Sequence, residues 1–172
     1  DEGGFVPEGS RVLILGAGGA ARGVVLALSR AKVSTLIIAN RTLERAQRLA
    51  ELAHSSDSKG LAIPLGGRDL IEAAGAADLI VNCTTIGMSH GPDEAGSPLP
   101  AASITSTVLV NDLVYNPLET PLLKAAAQVG AKGLGGILML VYQGAASFEM
   151  WTGRDAPVAV MLEAATKAMA SR

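Results

Sequence analysis

Gly16, Gly18 and Ala21 fall at the spacing G-x-G-x-x-A, directly behind the apolar run Arg11–Leu15 and at the head of a segment with helical spacing. A glycine turn in that place can present bare backbone N–H groups, and the positive end of a helix dipole, to a diphosphate. Gly16 would permit the tight turn, Gly18 the close approach of a ligand, and Ala21 the close packing of helix on strand. A tight strand-to-helix turn without a ligand uses the same residues, and the spacing alone leaves both open.

The second apolar run, Thr35–Ala39, is followed by "NRTLER". An NAD site places an acidic residue there to accept from the ribose 2′-hydroxyl. None stands at Asn40, Arg41 or Thr42. Arg41 offers a guanidinium fork suited to a 2′-phosphate, with Arg45 one helical turn on and Thr42 adding a hydroxyl. This pattern predicts NADP rather than NAD. The alternative is a solvated helix face on which Arg41 and Arg45 stand beside Glu44.

The elements that must position these residues alternate. Strands are predicted at Arg11–Leu15, Thr35–Ala39, Gly60–Pro64, Asp78–Val81 and Val108–Leu113. Helices are predicted at Ala20–Arg30, with Val24, Val25 and Leu28 on one face, at Thr42–Ala53 with Leu49 and Leu52 inward, and at Arg68–Ala74. Three more follow: Leu118–Gln128, entered through Asn116-Pro117; Leu138–Trp151; and a last one, capped by Asp155, with Val158, Met161, Leu162, Ala165 and Met169 in one stripe. Alternation of this kind predicts an α/β domain: a Rossmann-like, doubly wound parallel sheet with flanking helices. The Gly-, Pro- and Ser-rich stretch from Thr84 to Thr107 reads as a long loop, functional or disordered.

The chain has 172 residues, 49% hydrophobic and 17% charged, with a net charge of -2. Its mean hydropathy is +0.36. That composition supports a packed core and excludes a disordered chain. It carries no basic footprint for nucleic acid, no apolar run able to span a bilayer and no signal peptide at its start. The single cysteine, Cys83, fits a reducing compartment, so a soluble, cytoplasmic protein is expected. Residues 1–10 read as a linker or the remnant of a longer protein, and residues 11–172 as the nucleotide-binding domain.

Five blocks occur in order: "GAGGAARG", "NRTLERA", "NCTTIGM", "NDLVYNPLETPLL" and "GGILMLVYQGAASFEMWTG". Together they resemble the C-terminal, NADP-binding domain of the shikimate dehydrogenases, over about Arg11 to the end. The resemblance implies an oxidoreductase that reduces 3-dehydroshikimate to shikimate with NADPH, in the pathway to chorismate and the aromatic amino acids. It implies a partner N-terminal domain that holds most of the substrate and carries a catalytic Lys–Asp pair. That pair is expected outside residues 1–172, so no catalytic residue is assigned within them, and Lys32 and Asp112 are not given those roles. Asp1 is likewise left without a role.

By the same resemblance, Gly16, Ala17, Gly18, Gly19 and Ala20 would wrap the pyrophosphate, and Asn40, Arg41, Thr42 and Arg45 the 2′-phosphate end. Thr84, Leu113, Gly136 and Met139 would border the nicotinamide and its ribose. Where the family usually has Asn-Ala-Thr-Ser, this chain has Asn82, Cys83, Thr84 and Thr85. Tyr115 and Gln143 would touch substrate, and Met139 and Gln143, four apart, share a helix face. Read without the resemblance, Tyr115 is a packed aromatic and Gln143 a surface amide.

His54 lies in a polar turn and His90 in the long loop, neither with metal-ligand spacing, so no metal is expected. Cys83 is expected to line a strand end, and Phe148 and Trp151 to pack. The last helix's stripe either packs within this chain or docks the N-terminal domain. Two alternatives stay open: a quinate or quinate/shikimate dehydrogenase, and a stand-alone NADP-binding module without catalysis of its own.

Overall fold

The computed structural model describes residues 3–54 and 58–170; Asp1 lies outside them. Six parallel strands form one sheet: β1 (Arg11–Leu15), β2 (Thr35–Asn40), β3 (Lys59–Pro64), β4 (Leu79–Asn82), β5 (Leu109–Asp112) and β6 (Lys132–Leu134). The spatial order is β3-β2-β1-β4-β5-β6. The chain therefore builds outward from β1 to β3, then returns across β1 to place β4 on its other side. That reversal opens a crevice between the carboxyl ends of β1 and β4.

Helices α1 (Gly19–Arg30) and α2 (Leu43–Ala53) cover one face; α3 (Gly67–Gly75) and α4 (Pro121–Gln128) cover the other. Alternate residues of β1 divide between the two cores, with Val12 and Ile14 on the α1 side and Leu13 and Leu15 on the α3 side. All four are fully buried, as expected of an interior parallel strand covered on both faces. Val25 is buried and Val24 and Leu28 pack beside it, so the expected inner face of α1 is observed. On α2, Leu49 is buried but Leu52 is 47% exposed. Leu52, one turn past Leu49, turns out of the core and lines a surface groove instead, which corrects the expected inward pair.

Three further differences have local causes. Helix α4 begins at Pro121, not Leu118: Thr120 is its N-cap and accepts from the Leu123 amide at 3.2 Å, with Pro121 in the first turn. The Thr-Pro pair is the entry signal; Asn116-Pro117 sits in the preceding irregular segment. Strand β6 was not expected, because three residues, Lys132, Gly133 and Leu134, are too few to show a period. The stretch 84–107 is tethered rather than free, since Leu99 and Ile104 reach the core and Ala101–Ser103 forms a 3-10 turn.

Helices α5 (Ile137–Thr152) and α6 (Val158–Ala170) pack on each other. The stripe Val158, Met161, Leu162, Ala165 and Met169 is half-buried. Asp155 lies outside α6, exposed. Phe148 is half-buried, but Trp151, expected to pack, is 83% exposed at the end of α5 beside the equally exposed Met150. Residues 3–10 lie against the domain rather than trailing from it: Phe5 packs on the core and Lys132 Nζ donates to the Gly3 carbonyl at 2.9 Å.

Candidate functional site

Leu15, Asn82 and Asp112 stand in one register row at the carboxyl ends of β1, β4 and β5. The next residues, Gly16, Cys83 and Leu113, begin the loops over the crevice, each amide donating to the neighbouring strand: Gly16 to Ala39, Cys83 to Leu15 and Leu113 to Asn82, at 2.7–3.0 Å. Gly16 is buried with φ +101, and a Cβ there would lie 3.1 Å from the Cys83 carbonyl. It is the tight-turn glycine, fixed both by its backbone and by its neighbour.

Gly18 is the N-cap of α1, with φ -95, and no side chain caps the helix. A Cβ on Gly18 or Gly19 would meet nothing within 4 Å. These two glycines do not serve the packing of the chain itself. The first amides of α1 have no acceptor within the helix and no side-chain cap, and the space over these two glycines is open, as a diphosphate requires. Ala21, by contrast, is wholly buried between helix and sheet.

Ala17, Gly18 and Gly19 line one end of a groove of about 650 Å³ that continues over Arg22, Arg45 and Arg48. Arg41 and Thr42 are exposed at the adjoining end of β2, and the Asn40 side chain donates to the Thr42 carbonyl at 2.9 Å, bracing that turn. Among the described residues no carboxylate pairs with any of these four arginines. Arg22 and Arg48 were not assigned from sequence; each lies on a helix face that only the packing of α1 beside α2 turns toward the glycines. Arg41, Glu44 and Arg45 are all exposed, as a solvated helix face would also have them, and Glu44 pairs with neither arginine.

On the other side of α1 lies a cleft of about 340 Å³, lined by Ala20, Thr84, Leu113, Tyr115 and Met139 among the expected residues. Cys83, Thr85, Met88, Ser89, Val114 and Asn116 complete it and were not predicted as site residues. Their loops follow β4 and β5, and adjacency to the strand ends was the available signal. Gly136 stands behind the cleft: a Cβ would lie 2.6 Å from the Leu113 carbonyl carbon, so glycine lets α5 close onto the β5 loop. Tyr115 is 38% exposed. Gln143 is exposed one turn beyond Met139 on α5 and is not in the cleft wall.

Beneath the cleft runs a buried polar chain. Asp112 Oδ1 accepts from Asn82 Nδ2 at 2.9 Å and from the Val114 amide at 3.0 Å; Oδ2 accepts from the Thr120 hydroxyl at 2.6 Å. Asn82 Oδ1 accepts from the Thr84 hydroxyl at 2.7 Å and the Thr84 amide at 3.0 Å. Burial pushes the Asp112 carboxyl above its ordinary value, against the lowering effect of these three donors. Burial first, and then the Asp112 charge, push the Cys83 thiol up to about 12. Cys83 is thus a neutral thiol beside the crevice, in keeping with a strand-end packing role.

His54 and His90 are exposed on separate loops. Among the described residues no three His, Cys, Asp or Glu side chains gather as metal ligands. No helix among them is long and apolar enough to cross a membrane.

Residues 6–89 match the model of the Shikimate / quinate 5-dehydrogenase family, and residues 136–166 that of the Shikimate 5'-dehydrogenase C-terminal domain. The chain belongs to the shikimate dehydrogenase family. A shikimate dehydrogenase (NADP(+)) of Moorella thermoacetica is 47% identical over 173 residues, covering 98% of this chain and 57% of that protein. The Thermus thermophilus shikimate 5-dehydrogenase, solved with NADP(H) and shikimate, is 39% identical with a TM-score of 0.80, covering 97% of this chain and 58% of that one. The Listeria monocytogenes shikimate 5-dehydrogenase, solved with shikimate and NAD, is 30% identical with a TM-score of 0.86, covering 94% and 57%. The chain thus spans little more than half the length of these family members.

Proposed function

We propose that residues 11–172 are the NADP(H)-binding half of a shikimate dehydrogenase, which reduces 3-dehydroshikimate to shikimate. One observation carries this: an uncapped helix mouth over two unobstructed glycines opens toward guanidiniums that form no ion pair among the described residues, Glu51 in the same groove included, and no acid ends β2. The residues fit the group. The amides from Ala17 to Ala20 hold the diphosphate above the turn at Gly16, whose own amide is bonded to Ala39; Arg41 and Arg45, with Thr42 and Asn40, hold the 2′-phosphate; Thr84, Leu113, Gly136 and Met139 border the nicotinamide end. When bound, the cofactor supplies the hydride. The chain's own contribution is orientation: Thr84, Leu113 and Met139 in the cleft wall would hold the nicotinamide end, with Tyr115 lining the same cleft.

Tyr115 meets the substrate from the cleft wall, and Gln143 reaches it from the exposed face of α5. The Lys–Asp pair that moves the proton belongs to an N-terminal domain beyond these residues. The site of action is the cytoplasm, which the lone free Cys83 favours.

A calorimetric titration of this chain with NADPH tests the first part, and one molecule bound per chain is expected. No heat of binding removes the proposal. The second reading, a quinate/shikimate enzyme, is favoured by the joint description of the family that residues 6–89 match. Oxidation of shikimate and of quinate by the protein joined to its N-terminal domain separates the two: NADP-dependent shikimate turnover is expected, and faster quinate turnover would overturn it.

A further inference from the structure

The polar chain under the cleft has a direction. A carboxylate only accepts, so the Asn82 amide must turn its NH2 toward Asp112 and its oxygen toward Thr84. That oxygen then receives both the amide and the hydroxyl proton of Thr84. A hydroxyl has one proton and two acceptor lone pairs. The proton is committed to Asn82, and one lone pair accepts from the Ile86 amide at 3.1 Å. Toward the cleft, Thr84 has an acceptor left and nothing to donate.

We infer that Asp112 is a positioning residue: together with the Thr84 amide it holds Asn82 in the orientation that makes Thr84 an acceptor toward the cleft, selecting a ligand that presents an O–H or N–H donor there. Such a donor is a sugar hydroxyl or a carboxamide NH2; a phosphate or carboxylate in the same place would face a second acceptor. Asp112 also accepts from Val114 and Thr120. The wall carrying Tyr115 and the N-cap of α4 are therefore held from the same carboxylate. Three segments thus meet at one side chain that touches no ligand. The inference rests on the dinucleotide reading above, with the cleft as its nicotinamide end.

The test titrates wild type, Thr84→Val, Thr84→Ser, Asp112→Asn and the Asp112→Asn/Thr84→Val double variant with two probes, NADPH and 2′,5′-ADP. The second probe occupies only the glycine and arginine end, so it reports an intact fold and an intact anion site. Thr84→Val is expected to weaken NADPH about 2- to 10-fold, one neutral hydrogen bond, and to leave 2′,5′-ADP unchanged. Thr84→Ser keeps the hydroxyl and restores affinity. Asp112→Asn is expected to weaken NADPH less than Thr84→Val, because the Thr84 amide still holds the Asn82 oxygen, and the double variant is no worse than Thr84→Val alone. Full NADPH affinity in Thr84→Val overturns the inference. So do additive losses in the double variant, or loss of both probes in Asp112→Asn, which would make Asp112 a support of the fold alone. If Asp112→Asn does not fold, the Val and Ser variants still decide whether the Thr84 hydroxyl accepts from the ligand. Wild type that binds neither probe removes the dinucleotide reading and this inference with it.

Discussion

Gly16 and Thr84 meet across the crevice: a Cβ on Gly16 would lie 3.2 Å from Thr84 Cγ2, while one on Gly18, two residues on, would touch nothing. The two glycines of one motif therefore answer to different demands. Gly16→Ala forces a side chain into φ +101 against the Cys83–Thr84 backbone and should cost about 1–3 kcal/mol of stability. Gly18→Val keeps an ordinary φ of -95 and should cost under about 1 kcal/mol, yet lower NADPH affinity at least about tenfold by filling the diphosphate's approach. Denaturant melts and binding titrations of the two variants check this. Retained NADPH affinity in Gly18→Val would show that the open space over that residue is not used.

Asp112 gives stability an unusual pH dependence. Its carboxyl is raised above the ordinary value, chiefly by burial. Between that ordinary value and the raised one, the folded state holds the proton more tightly than the unfolded state, so folding free energy contributed by this group falls as pH rises through that window. Below the window the contribution is complete. In urea titrations at a series of pH values starting near 3.8, the advantage of wild type over Asp112→Asn should shrink as pH rises. A growing advantage would reverse the sign and mean that the three donors outweigh desolvation.

Cys83 should be unreactive at neutral pH. Raising a thiol from 9.0 to about 12 lowers its thiolate fraction roughly a thousandfold, and the thiolate is the nucleophile. Alkylation by iodoacetamide at pH 7.5 should be slower than that of a small thiol by at least about a hundredfold until the protein is unfolded. Labelling of the native protein at the small-thiol rate would show that the β4 loop opens.

How far the sequence carried this depends on the residue. The β1–α1 turn was legible because the strand, the glycines and the helix are contiguous, so local spacing is the whole signal. The same holds for Arg41 and Arg45, which follow β2 directly. That Arg22 and Arg48 line the same groove as the glycines was not legible, since their convergence is a product of helix packing. Asp112 is given no role from sequence, because the catalytic pair is expected in the N-terminal domain; its partners Asn82 and Thr120 lie on other segments, and only the sheet register brings Asn82 beside it. Gly60 marks the same limit. Its hydrogen occupies space that a Cβ would contest with the Ala50 carbonyl of α2, yet nothing around it in sequence announces a helix overhead. Trp151 failed for the opposite reason: a large apolar side chain was expected to find cover that the neighbouring α6 does not give.

The central claim is that guanidiniums at the end of β2 select a phosphorylated ribose, and one comparison tests it most directly: the dissociation constants of NADPH and NADH for wild type and for Arg41→Ala. Loss of charge-assisted bonds to the 2′-phosphate should cost about 1.5–3 kcal/mol, roughly ten- to a hundredfold in NADPH affinity. NADH, which lacks that phosphate, should bind wild type more weakly than NADPH and change little in the variant. Equal affinity of wild type for the two cofactors, or an equal loss of both in Arg41→Ala, would contradict the account.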